Sequence, residues 1–96
     1  MKAFTYILYS KKLNRYYIGS TELEPEERLK LHLEKNYGRK KFTSKANDWE
    51  LFTNIECENN STARKVEMYI KKMNSRKFIE SLKDNPEKSK WIIKRI

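Results

Sequence analysis

Residues 4–20 read Phe4-Thr5-Tyr6-Ile7-Leu8-Tyr9-Ser10-Lys11-Lys12-Leu13-Asn14-Arg15-Tyr16-Tyr17-Ile18-Gly19-Ser20. Two runs rich in aromatic and aliphatic residues, 4–10 and 15–20, flank the polar Lys11-Lys12-Leu13-Asn14 segment. That pattern is a β-hairpin. A turn over 11–14 pairs Leu8 with Tyr17 and Tyr6 with Gly19. Directly paired residues point to the same face of a sheet. Tyr6, Tyr17 and Gly19 therefore share a face, with the two tyrosines as diagonal neighbours. Gly19 leaves a gap without a side chain opposite Tyr6, where a phosphate could approach the backbone.

Outward from the hairpin, Glu24-Pro25-Glu26-Glu27 starts a helix, with proline in the first turn and carboxylates at the positive end of the dipole. This helix is expected to run to about Asn36 and end near Gly38. Residues 39–48 are polar and basic and read as a loop. Trp49 to Glu56 reads as a third strand, with Trp49, Leu51, Thr53 and Ile55 on one face. Asn59-Asn60-Ser61-Thr62 offers N-caps for a second helix, whose apolar stripe is Ala63, Val66, Ile70 and Met73. Asn74-Ser75 breaks it, and a short helix follows to about Lys83. The tail to Ile96, holding Trp91, Ile92, Ile93 and Ile96, reads as a last helix packed on the rest. The order ββαβααα gives an α+β fold, a three-stranded antiparallel sheet flanked by helices.

With 96 residues, the chain is one domain, with a core over about 4–80 and a C-terminal helix over 85–96. No apolar run approaches the roughly 20 residues needed to span a bilayer, and Met1-Lys2-Ala3-Phe4-Thr5 has no signal-peptide hydrophobic region. The single cysteine, Cys57, forms no intramolecular disulfide and belongs to no zinc-like spacing. The expected location is the cytoplasm. A net charge of +9 draws polyanions, nucleic acid first. A membrane surface is disfavoured, because the basic residues do not form one face of a strongly amphipathic helix. An acidic protein partner is the remaining class.

Three further residues stand out. Arg28 and His32 are four apart on the first helix and share a face, beside the core-facing Leu29 and Leu33. A guanidinium suits phosphate because its planar fork donates two hydrogen bonds. Glu67 falls at the edge of the second helix's apolar stripe, where a carboxylate needs a partner. Each has an ordinary reading too: strand packing for the tyrosines, a pair with Glu24 or Glu27 for Arg28, a half-packed position for His32, and a lysine or arginine partner for Glu67. A divalent cation is the other partner for Glu67, because magnesium can be held by one carboxylate when substrate phosphate completes the shell.

Tyr6, then Tyr17-Ile18-Gly19, then Arg28 and His32, then helical Glu67, resembles the GIY-YIG nuclease family in order and spacing over about residues 4–80. Within it, Phe42-Thr43-Ser44-Lys45-Ala46-x-x-Trp49-x-Leu51 resembles the small single-domain proteins of the YhbQ type. The first signature triplet, Phe4-Thr5-Tyr6, keeps only its tyrosine; the second is intact; no asparagine after Glu67 matches the one several family nucleases carry. The resemblance implies a metal-dependent endonuclease cutting DNA phosphodiesters, with DNA preferred to RNA, and structure-selective in repair or recombination. The alternative is a binding module that has kept the fold without turnover. It implies one Mg2+ or Mn2+ ion on Glu67, with Tyr6, Tyr17, Arg28 and His32 as catalytic residues. Arg28 and the metal are expected to lower the pKa of the phenol acting as base. Gly19, Lys40, Lys41, Lys45, Lys71, Lys72, Arg76 and Lys77 would meet the substrate backbone. A homodimer or protein partner is compatible with so small a domain.

Overall fold

The computed structural model describes residues 2–33 and 46–96, the His32 side chain excepted. The hairpin forms between β1 (Ala3–Ser10) and β2 (Arg15–Thr21) in the register its turn dictates, with Leu8 opposite Tyr17 and Tyr6 opposite Gly19. Asn14 closes the turn in the left-handed region, φ 53°, which asparagine tolerates. Asp48 clamps the same turn from outside. Ser10 Oγ donates to Asp48 Oδ1 at 2.6 Å and the Lys12 amide to Oδ2 at 2.8 Å. Those two bonds, the hydroxyl first, hold the Asp48 carboxyl below its ordinary range.

Strand β3 (Glu50–Cys57) pairs antiparallel with β1, so the sheet order is β2-β1-β3 and β1 is central. A bulge corrects the expected facing of this strand. The register slips between Ile7 and Leu8: Ile7 faces Thr53, yet Leu8 faces Leu51. The extra residue, Phe52, moves the alternation by one. Trp49 and Leu51 then join Tyr6 and Leu8 on one face, while Ile55 and Cys57 join Ala3 and Ile7 on the other.

Helices cover both faces. On the first, α1 (Pro25–Leu33) packs Leu29 and Leu33 against Tyr6, Leu8 and the buried Trp49. On the second lie α2 (Asn60–Met73), α3 (Arg76–Asp84) and α4 (Pro86–Arg95), around Val66, Ile70, Phe78, Leu82 and Ile92. Asn59 caps α2 by accepting from the Thr62 amide at 2.8 Å. Asn74 ends α2 in the left-handed region, and Ser75 caps α3 through the Phe78 amide. Thr5 Oγ1 donates to the Ala63 carbonyl at 2.7 Å, fixing the start of α2 on the central strand. Two expectations about helix faces change. Met73 ends the α2 stripe 45% exposed, and on the tail helix only Ile92 is fully buried, with Trp91 46% exposed. No described helix is long and apolar enough to cross a membrane. The expected helix end at 34–36 and most of the loop over 39–48 lie outside the described residues.

Candidate functional site

The site forms where β2, the edge strand, lets residues from both sides of the sheet meet. Tyr6 and Tyr17 come from the face under α1. Glu67 comes from α2, which covers the opposite face, and reaches past the edge strand. Together with Gly19, Ser20 and Arg28 they line a cleft of about 420 Å3. Arg64 and Met68 of α2 complete its wall.

Tyr6 is the buried centre of this arrangement, with none of its surface exposed. Its ring lies over Gly19, so a Cβ added there would sit 2.6 Å from the phenol oxygen. The gap expected at Gly19 is thus filled by the Tyr6 ring, and glycine is needed to admit that ring. The Tyr6 and Tyr17 rings are 6.2 Å apart between centroids, tilted by 40°. Arg28 reaches the tyrosine: its Nε donates to Tyr6 Oη at 3.3 Å. Arg28 lowers the Tyr6 phenol pKa in the expected direction, but without the metal it is outweighed. Burial pushes the phenol up to about 12, outweighing the Arg28 hydrogen bond, and the neighbouring Tyr17 adds to the rise. At neutral pH Tyr6 is a protonated phenol.

Glu67 is the acidic member of the cleft wall among the described residues. Lys71 Nζ meets its Oε2 at 2.6 Å, with the Glu67 side chain 19% exposed and that of Lys71 53% exposed. The ordinary reading of a lysine partner therefore holds in the metal-free chain. Such a half-exposed i,i+4 pair contributes only about 0.3–0.5 kcal/mol, so it yields readily to a stronger cation. No group of three or more His, Cys, Asp or Glu side chains gathers among the described residues. The donors present are one carboxylate, two phenol oxygens and the Ser20 hydroxyl. All are oxygens, which fits a hard divalent cation once phosphate and water fill the remaining positions, and does not fit zinc. Arg28 and Arg64 oppose the single carboxylate, leaving the cleft cationic.

The family model of the GIY-YIG catalytic domain matches residues 2–80. The chain belongs to the GIY-YIG family. No curated protein and no solved structure matches it. GIY-YIG domains are in general nucleases, act on nucleic acid and use divalent metals, and the three-stranded sheet with flanking helices is their fold.

In this GIY-YIG chain, Tyr6, Tyr17, Gly19, Arg28 and Glu67 come together, and Lys71 adjoins them through its bond to Glu67. Arg76 does not join them. It lies in a neighbouring groove, donating to Asn14 Oδ1 at 2.8 Å and stacked on Tyr16 at 5.3 Å. Lys72 and Lys77 are exposed on α2 and α3, away from the cleft lining. His32 lies on α1, but its side chain is outside the described residues, as are Lys40, Lys41 and Lys45. Reasoning from the sequence missed Arg64 and Ser20. Arg64 stands three residues before Glu67 on the same helix face, a spacing that does flag it. Ser20 follows the intact triplet directly.

Proposed function

We propose that the protein is a metal-dependent endonuclease that hydrolyses DNA phosphodiesters, one of the small single-domain YhbQ-like members of its family, acting on branched or damaged DNA. The observation that supports this reading is the meeting of two phenols, a guanidinium and one carboxylate around a cationic cleft. Glu67, released from Lys71, would hold one Mg2+ or Mn2+ ion. When bound, that ion supplies Lewis-acid stabilisation of the charge that develops on the phosphate and the leaving oxygen.

The chain's own residues do the rest. Arg28, oriented through Nε by the Tyr6 oxygen, would turn its planar guanidinium to a non-bridging phosphate oxygen as charge builds there. Arg64 adds positive charge from the opposite wall. Tyr6, protonated and fixed over Gly19, acts as a positioning phenol. Tyr17, half-buried at the cleft wall, is left to orient the attacking water by accepting a hydrogen bond at its phenol oxygen. Removing Arg28 or Glu67 costs about 2–4 kcal/mol of transition-state stabilisation if both act as preorganised electrostatic groups.

The test is nicking of supercoiled plasmid and cutting of branched duplexes, with magnesium and with a chelator. Wild type cuts only with the metal, and Tyr17→Phe, Arg28→Ala and Glu67→Gln lose cutting. Equal cutting by all four proteins rejects the reading. The Glu67–Lys71 pair favours a second reading, a binding module whose carboxylate is neutralised internally. DNA binding without any metal-dependent cutting selects it.

A further inference from the structure

On the other side of β2 from the tyrosines lies a second groove, of about 590 Å3. Its cationic members are Arg15, Lys71 and Arg76, and it has no Asp or Glu among its described lining residues. We propose that this groove is a second anion subsite, which holds a backbone phosphate adjoining the one positioned in the cleft. The inference rests on the nuclease reading for the identity of its ligand.

Three observations carry it. The groove and the cleft meet at one ion pair: Glu67 lines the cleft, Lys71 lines the groove, and their charged atoms are 2.6 Å apart. A strand lying across the edge at Ile18–Ser20 would pass from one to the other. Next, Arg76 is already oriented. Its ring contact with Tyr16 and its bond to Asn14 consume one N–H and leave the rest of the fork available. Finally, Arg15 is exposed at the start of β2, and no ion pair among the described residues engages it or Arg76. Glu80, which accepts from the Tyr16 hydroxyl at 3.2 Å, is the nearby acidic group outside the lining. Arg15 and Arg76, with Lys71 shared with Glu67 and the two asparagines Asn14 and Asn74, make a wall suited to a phosphodiester rather than to a base or an apolar side chain.

The experiment is fluorescence anisotropy of a short labelled DNA duplex, in chelator, across a salt series. It compares wild type, Arg15→Glu, Asn74→Asp and Lys94→Glu. Lys94 lies on α4, outside both clefts, and makes the same charge change as Arg15→Glu. Asn74→Asp is nearly isosteric, and aspartate tolerates the left-handed backbone there. Arg15→Glu should weaken binding by about tenfold and reduce the salt slope by about one, as loss of one phosphate contact requires. Asn74→Asp should weaken it in the same direction, and Lys94→Glu by less than about twofold. Equal losses for Arg15→Glu and Lys94→Glu, or wild-type binding by Arg15→Glu and Asn74→Asp, would overturn the subsite. A wild type that binds but never nicks leaves this comparison readable, so failure of the cleavage reading and failure of the subsite are separate results. No binding by wild type overturns both.

Discussion

Gly19→Ala tests the geometry most sharply, because it adds one methyl at the point where Tyr6 crosses β2. The new Cβ would stand 2.6 Å from Tyr6 Oη and 2.7 Å from Cζ, about 0.8 Å short of ordinary contact. The ring is wholly buried and bonded to Arg28, so it cannot swing away as an exposed side chain would. Overpacking of this kind costs about 1–3 kcal/mol. In a domain of this size each kcal/mol lowers Tm by about 4–8 °C. Moving Oη by about 0.8 Å also stretches its 3.3 Å bond from Arg28 Nε beyond hydrogen-bonding range. A displacement near 1 Å in a catalytic arrangement costs roughly a hundredfold in rate. The assay is a urea melt with single-turnover DNA cleavage, repeated in a Tyr6→Leu background. With the phenol gone the methyl has room, and alanine in a strand is better than glycine by about 0.5–1 kcal/mol. The stability effect of Gly19→Ala should therefore change sign. An unchanged Tm in the wild-type background, or the same loss in both backgrounds, refutes the reasoning.

Other outcomes follow from the same contacts. Tyr6 holds its proton more tightly folded than unfolded, so its contribution is complete below pH 10 and lost as pH rises through about 12. Urea melts should show about 2–3 kcal/mol of alkaline destabilisation over that window, absent in Tyr6→Phe. Arg28→Lys should lower the cleavage rate by about a hundredfold despite keeping the charge, because an ammonium lacks the fork; a pre-steady-state time course reads this. Glu67→Gln should slow cutting by roughly 30- to 900-fold while changing stability by no more than about 0.5 kcal/mol, since its partner Lys71 is half-exposed; single-turnover cleavage and thermal melts check this. Cys57 is buried and its thiol is pushed up by burial, so a disulfide reagent should modify it only as the protein unfolds.

The hairpin was legible because a strand's side-chain period is two, and the turn at Lys11–Asn14 then fixes every pair through to Gly19. The α2 stripe was legible at Ala63, Val66 and Ile70 for the matching reason at helical spacing. The facing of β3 was not, because the bulge at Phe52 carries no glycine or proline to announce it. Nor was the state of Tyr6. The sequence shows that Arg28 can reach a hairpin phenol, but the burial that decides the pKa comes from Trp49, Leu29 and Leu33 closing over the same face. Trp91 reads as core by composition, yet only Ile92 beside it turns fully inward. Arg64 lies off the apolar stripe, and only its spacing of three residues from Glu67 points to it. The meeting of Glu67 with the tyrosines depends on α2 crossing the sheet edge at Gly19–Ser20, which spacing alone does not specify.

Whether Arg28 and Glu67 act on the same phosphate is measured most directly by a double-mutant cycle in single-turnover cleavage, with magnesium saturating. Groups that work as a unit on one reacting centre are strongly non-additive. The rate of Arg28→Ala/Glu67→Gln should fall little below that of the slower single variant. A double variant slowed by the full product of the two single effects, or single variants that cut as fast as wild type, would contradict a shared phosphate.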